Sequence, residues 1–150
     1  MSERPIDRVA AAGATKNEVG ILVWKTKYGL EKSAYDALTA KTLEIYRDRY
    51  SDRVEVAQAV VTQAIHEWFA PECLTCQGKG SVLHSERIVA CPDCSESSGV
   101  RIYTDAARST LMGLGYGLTK KLSHKINWIT GFLNRQDRLI NAQVSVQLER

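Results

Sequence analysis

Cys73-Leu74-Thr75-Cys76-Gln77-Gly78-Lys79-Gly80 and, further on, Cys91-Pro92-Asp93-Cys94 are the two stretches on which the reading of this chain turns. They hold all four cysteines, as two C-x2-C pairs separated by fourteen residues. This is the ligand spacing of a structural zinc site, in which two tight turns aim four thiolates at one point. The intervening segment is long enough to return as a short hairpin. Gly78 and Gly80 suit a turn that must take positive φ or approach the sulfurs closely, and Pro92 stiffens the second turn. Four thiolates leave no open coordination position. One zinc ion on Cys73, Cys76, Cys91 and Cys94 is therefore expected to be structural and not catalytic. His84 lies between the pairs and is read as a polar hairpin residue outside the metal shell.

Two disulfides or a redox C-x-x-C are the competing readings of the same residues. The opening Met1-Ser2-Glu3-Arg4-Pro5 lacks the apolar stretch and small-residue cleavage site of a secretory signal, which disfavours disulfides. A redox pair needs no second pair beside it. The chain has 150 residues, 44% hydrophobic and 25% charged, which are globular values and exclude a wholly disordered polypeptide. Its longest apolar stretch, Ile21-Leu22-Val23-Trp24, is far short of the roughly 20 residues that span a bilayer. A soluble intracellular protein without a membrane partner is expected.

Charge is spread unevenly. Residues 1–72 carry ten Lys/Arg against eleven Asp/Glu, residues 73–100 two against three, and residues 101–150 eight against three. The excess of cations therefore falls after the cysteines, as expected of an end that faces a polyanion.

Outside the cysteine module the pattern is helical. Residues 1–18 have no period and are expected to form a loose arm, so that 1–30 act as a flexible arm and lead-in; Val19–Tyr28 fits strand and helix equally. Residues 31–150 are then a single helical domain with the zinc module at 73–94. Ser33 is a plausible N-cap, followed by Tyr35, Leu38, Thr42, Ile45 and Tyr46 at spacings of three and four. Ser51 or Asp52 caps the next helix, with Val54, Ala57, Val61, Ala64, Ile65 and Trp68 as its apolar face and Pro71 beyond its end. Asp48, Asp52 and Glu55 read as solvated helix ends. After the module, Thr104 caps Asp105–Met112, and Gly113, Gly115 and Gly117 form a turn. Thr119 then caps a helix with Leu122, Ile126, Ile129 and Phe132 on one stripe, and a last helix covers Arg135–Gln147. The expected fold is mainly α, with an inserted four-cysteine zinc hairpin of zinc-ribbon or zinc-finger type.

Two helices joined by a short glycine turn, Asp105–Met112 and Lys120–Leu133, make a helix-turn-helix-like pair. Lys120, Lys121, His124, Lys125 and Asn127 lie off the apolar stripe of the second helix. Lysines and a helix N-terminus hold phosphates, while His and Asn address base edges. Trp128 and Phe132 are read as core or interface residues. No serine sits in G-x-S-x-G, and His66, His84 and His124 have no catalytic spacing, so no enzyme is expected.

The order of parts is more specific than any one of them. A helix, C-x-x-C-x-G-x-G over Cys73–Gly80, a hairpin, a second C-x-x-C, then Tyr103-Thr104-Asp105-Ala106-Ala107-Arg108 and a basic helix resembles the lambda-type phage late-gene antitermination protein Q. The likeness covers about residues 50–135. It departs where Ser95-Glu96-Ser97-Ser98-Gly99 follows the second pair in place of a glycine repeat. The resemblance implies zinc ligands at Cys73, Cys76, Cys91 and Cys94, and DNA contacts from Arg101 and Arg108 through Lys120, Lys121, His124 and Lys125; the reading of the helix itself adds Thr119, at its N-terminal end, and Asn127. It implies double-stranded DNA at a late promoter and bacterial RNA polymerase holoenzyme with its sigma factor as partners, in the host cytoplasm, with no catalysis by the chain itself. A zinc-stapled regulator without antitermination activity is the first alternative. A client-binding module like the zinc domain of the Hsp40 chaperones is the second; it would share the C-x-x-C-x-G-x-G phrase but lack His-Pro-Asp.

Overall fold

The computed structural model describes residues 18–29, 32–94 and 99–148. In chain order these form α1 (Glu18–Gly29), α2 (Lys32–Arg49), α3 (Val54–Phe69), β1 (Ser81–His84), β2 (Arg87–Ala90), α4 (Asp105–Met112) and α5 (Tyr116–Leu148). The protein is mainly α, with a two-stranded antiparallel hairpin inserted between α3 and α4. Among the described residues no helix is long and apolar enough to cross a membrane. The described residues fall into two compact units, those of 18–65 with 124–148 and those of 66–123.

In the first unit, the ambiguous stretch after residue 18 is a helix and not a lead-in. Val19, Val23 and Thr26 are buried at helical spacing. Trp24 is fully buried against Ile140, with Ile21 and Tyr28 packed on the pair. The remainder of the expected arm, residues 1–17, lies outside the described residues. In α2, Ala34, Leu38, Thr42 and Tyr46 face the core at every fourth position. Lys32 already belongs to this helix, so Ser33 sits in its first turn and not at its cap. In α3, Ala57, Val60, Val61, Ala64 and Ile65 are fully buried, and the helix stops at Phe69, two residues before Pro71.

The turn between α2 and α3 corrects the sequence expectation. Neither Ser51 nor Asp52 caps α3, which begins at Val54, and Ala57 N–H bonds the Arg53 carbonyl at 2.9 Å. Asp52 is also no solvated helix end. Its carboxylate accepts both the Tyr46 hydroxyl and, at 2.9 and 2.8 Å, the Lys125 ammonium. Lys125 Nζ lies 4.7 Å from the centre of the Tyr50 ring, and the Arg49 guanidinium lies 4.7 Å from that of Trp128. Trp128 stacks on Phe132 with ring centres 5.9 Å apart. Burial alone would raise the Asp52 pKa, but the Lys125 and Tyr46 hydrogen bonds outweigh it and hold the carboxyl below its ordinary value. Burial, and then the same carboxylate, push the Tyr46 hydroxyl up.

The region expected to hold two helices, 120–133 and 135–147, is one helix of 33 residues. Between them stands only Asn134, and the apolar seam continues across it: Leu122, Ile126, Ile129, Leu133 and Ile140 are buried. The seam passes through Leu133, leaving Phe132 half-buried on the flank.

Asp52→Asn removes a carboxylate that folding makes more acidic. Its contribution is complete above the ordinary value of 3.8 and is lost as pH falls through the lower folded value. Urea titrations at pH 7 should show a loss of about 1–3 kcal/mol, and the gap to wild type should close in acid.

Candidate functional site

The second unit is organised around the cysteines. Cys73, Cys76, Cys91 and Cys94 are all buried, and their sulfurs lie within 4.8 Å of one another. Cys73 and Cys91 sulfurs are 3.9 Å apart, and those of Cys76 and Cys94 are 4.0 Å apart. A disulfide requires about 2.05 Å, so these are four free thiols. A tetrahedral ion with metal–sulfur bonds near 2.3 Å places its ligands about 3.8 Å apart, and the observed spacing fits that cage. The group could hold one metal ion.

Local backbone chemistry builds the cage. After Cys73 the chain folds back so that Gly78 N–H bonds the Cys73 carbonyl at 3.2 Å, and Lys79 N–H bonds the Cys76 carbonyl at 3.0 Å. Gly80 N–H points at Cys76 Sγ, 3.2 Å away. This path takes positive φ at Gly78 (81°) and Gly80 (78°), where glycine carries no Cβ penalty. Cys91 N–H bonds the Gly80 carbonyl at 3.0 Å, which starts the hairpin ladder, and Val82 packs on the four cysteines. The two knuckles are also joined outside the sulfur cluster, where Thr75 Oγ1 donates to Asp93 Oδ2 at 2.9 Å. Burial and then the neighbouring thiols push Cys91 up to about 11; the Asp93 backbone bond opposes them only partly. At Cys76 burial acts in the same sense, but the Gly80 N–H and the surrounding thiols outweigh it and hold the group at about 7.

A return segment completes the module. Cys73 N–H bonds the Gly99 carbonyl at 2.7 Å, Glu72 bridges Val100, Cys94 bridges Arg101, and Arg101 N–H bonds the Pro71 carbonyl at 2.7 Å. A Cβ on Gly99, whose φ is +79°, would lie 2.1 Å from the Gly78 carbonyl oxygen. Residues 95–98, whose departure from the glycine repeat pointed to a different turn shape, lie outside the described residues. His84 ends β1, exposed and not among the converging ligands.

Beyond the return segment the chain enters α4. Thr104 caps it as expected: Oγ1 accepts Ala107 N–H at 3.1 Å. Gly113 ends it in the left-handed region, φ 67°, and α5 begins at Tyr116. Asp105, at the start of α4, accepts the Ser123 hydroxyl from α5, which ties the two helices together. Gly117 and Thr119 are therefore inside α5. Thr119 is no cap: it is fully buried and its hydroxyl donates back to the Gly115 carbonyl at 2.9 Å.

The expected DNA-contact residues separate into two groups. Arg108 is buried, and its guanidinium makes two bonds to Glu67, at 2.8 and 2.6 Å; this pair ties α4 to the end of α3. Arg101 is half-buried with its guanidinium 4.5 Å from the centre of the Tyr103 ring, whose hydroxyl donates to the Ala70 carbonyl at 2.8 Å. Lys125 belongs to Asp52. Arg108, Thr119 and Lys125 are thus engaged within the fold, because each has an internal partner that offsets its desolvation. Lys120 and Lys121, in the second unit, and His124 and Asn127, in the first, are exposed. Glu67, Thr75, Asp93 and the Gly99 segment carry the site as well. Only Gly99 had a signal in the sequence, as a glycine beyond the second cysteine pair.

No family model matches the chain, and neither a curated protein nor a solved structure matches it.

Gly99→Ala should lower metal affinity, read by competition with a chromophoric chelator, because the new methyl meets backbone at Gly78. Arg108→Ala leaves the Glu67 carboxylate buried without its guanidinium, and thermal or urea unfolding should register a loss of about 3–5 kcal/mol.

Proposed function

We propose that this protein is a zinc-stapled, DNA-binding transcription factor of the antitermination type, which engages promoter DNA and RNA polymerase and carries out no chemistry of its own. The observation that carries the reading is the buried four-thiol cage followed directly by α4, a glycine turn and the lysine-bearing start of α5. That is the order of parts on which the resemblance to the phage late-gene antiterminators rests.

The ion assigned to the cage is Zn2+. Four soft sulfur donors at tetrahedral spacing suit it, and it needs no redox partner. When bound, zinc supplies a closed crosslink and no open coordination position. The chain's own residues do the rest. The thiols of both knuckles fix the hairpin, the return segment 99–101 leads into α4, and the Arg108–Glu67 pair and the Ser123–Asp105 bond hold α4 against its neighbours. Lys120 and Lys121 then stand at the start of α5, where ammonium groups displace counterions condensed on phosphate. His124 and Asn127 follow on the same helix with donors and acceptors suited to base edges.

In vitro transcription tests the proposal: purified holoenzyme on the promoter nearest downstream of the gene, with a terminator beyond, with and without the protein. Readthrough that requires the promoter-proximal DNA supports antitermination. DNA binding without readthrough reduces the reading to a zinc-stapled regulator, and loss of both removes it.

Lys120→Ala and Lys121→Ala should weaken DNA binding without lowering the melting temperature, and each should reduce the log–log salt slope by about 0.9 if its ammonium meets one phosphate. Unchanged slope and affinity in both variants would take α5 off the DNA. Cys76→Ser should cost fold and DNA binding together.

A further inference from the structure

The C-terminal half of α5 is apolar on two sides. Its buried seam runs through Leu133 and Ile140, and α1 lies on that side: Trp24 packs on Ile140, and Lys27 Nζ is 3.6 Å from Asp137. A second stripe faces elsewhere. Phe132, Leu139 and Val146 recur at intervals of seven, with Arg135 and Ala142 between them, which is the a and d pattern of a two-helix seam. At 3.6 residues per turn these five positions share an arc of about 80°, centred about 120° round the helix from Ile140. Leu139 is 53% exposed and Val146 51%. Arg135 and Ala142 are exposed with them, and Phe132 is half-buried. A helix that is apolar on more than one side belongs between two partners, not at a solvent boundary.

The stripe is its own complement. Leu139 and Ala142 stand one turn apart, so an antiparallel copy centred between them lays each leucine on the other copy's alanine, a large side chain over a small one. The same register sets Arg135 against the second copy's Val146, where its aliphatic stem covers the valine and its guanidinium stays in water. On the flanks Gln136 meets the second copy's Gln143, and Arg138 meets its Ser145, so neither flanking pair opposes like charges. Parallel pairing in register does the reverse, because it brings Arg135 against its own copy in the middle of the seam. Residues 132–146 span about 21 Å of helix. A contact of that length buries less than the roughly 800 Å² per partner of a standard stable complex, so the pairing is reversible and depends on concentration.

We propose that the exposed stripe of α5 is a homodimer seam, through which two copies of this chain pair antiparallel over residues 132–146 about a two-fold axis between Leu139 and Ala142. A two-fold contact uses the same patch on both chains, as the exchange of Leu139 for Ala142 requires. Nucleic acid as occupant leaves the exposed Leu139 and Val146 at the centre of the stripe unexplained. A different protein would have to supply a small residue for Leu139, a large one for Ala142 and an uncharged one for Arg135, and a second copy of the chain supplies all three. The inference does not rest on the proposed function.

Sedimentation velocity of the full-length protein without DNA, from about 1 to 200 μM, reads the association. Wild type should move from monomer toward dimer across that range. Leu139→Ser with Val146→Ser removes the apolar centre and should raise the dissociation constant about tenfold or more. Two single changes then read the orientation. Val146→Lys sets an ammonium against the second copy's Arg135 and should weaken the dimer by about the same factor. Val146→Glu offers that arginine a carboxylate and should stay within about threefold of wild type. Wild type that is monomeric at every concentration overturns the proposal, and so does a dimer that the double serine variant leaves intact. Equal losses from Val146→Lys and Val146→Glu overturn the antiparallel pairing. Melting temperatures are compared at the dilute end, where chains are single. A marked fall in the double variant there overturns the proposal by showing that the stripe packs within its own chain.

Discussion

Four buried thiols that converge within 4.8 Å form the constraint on which the second unit depends. Sulfurs 3.9 and 4.0 Å apart are too distant for disulfides and close to the spacing of four ligands around one tetrahedral ion. The group could hold one metal ion, and the backbone around it is arranged to bring the four sulfurs together. The first knuckle turns through positive φ so that the Gly80 N–H can face a sulfur, the Gly80 carbonyl then receives Cys91, and the hairpin register is set from that bond. The return segment reuses the same corner, with Gly99 lodged against Gly78. A two-stranded hairpin of four-residue strands is marginal alone in water, so its order here derives from the cage.

Carboxylates organise the polar contacts of the first unit. Asp52 gathers the Tyr46 hydroxyl and the Lys125 ammonium at the α2–α3 turn. In the second unit Arg108 is held in the same way by Glu67. Basic residues that look equivalent in the sequence are thereby sorted by burial. Those with an internal carboxylate partner serve the fold, while Lys120 and Lys121 remain exposed and available to a polyanion. A count of cations near a helix therefore overstates a binding surface until the acids packed against that helix are known.

Much of this architecture was legible because it rests on local chemistry. The C-x2-C pairs, Gly78, Gly80, the Thr104 cap and the α3 stripe each announce themselves by spacing or by residue type. The misses are long-range or depend on what is absent. Asp52–Lys125 spans 73 residues and Glu67–Arg108 spans 41, and neither pairing leaves a local pattern. Thr119 reads as a cap because it follows a glycine turn, but α5 starts three residues earlier and buries it. The single α5 was hidden because Phe132, one position off the seam, made the stripe look finished where Leu133 carries it on. The hairpin turn was equally silent: Ser85 and Glu86 take positive φ at 48° and 63° without the glycine or asparagine that usually marks such a turn.

The sulfur-only cage stands at the centre of a module that exposes Leu83 and Ile88 and leads into a lysine-bearing helix. X-ray absorption at the zinc edge of protein purified under reducing conditions tests that centre most directly. One zinc per chain with four sulfur neighbours near 2.3 Å and no nitrogen or oxygen neighbour is the predicted result. A nitrogen ligand would bring His84 into the shell and redraw the hairpin. Metal-free protein, folded and with its cysteines paired as disulfides, would contradict the account outright.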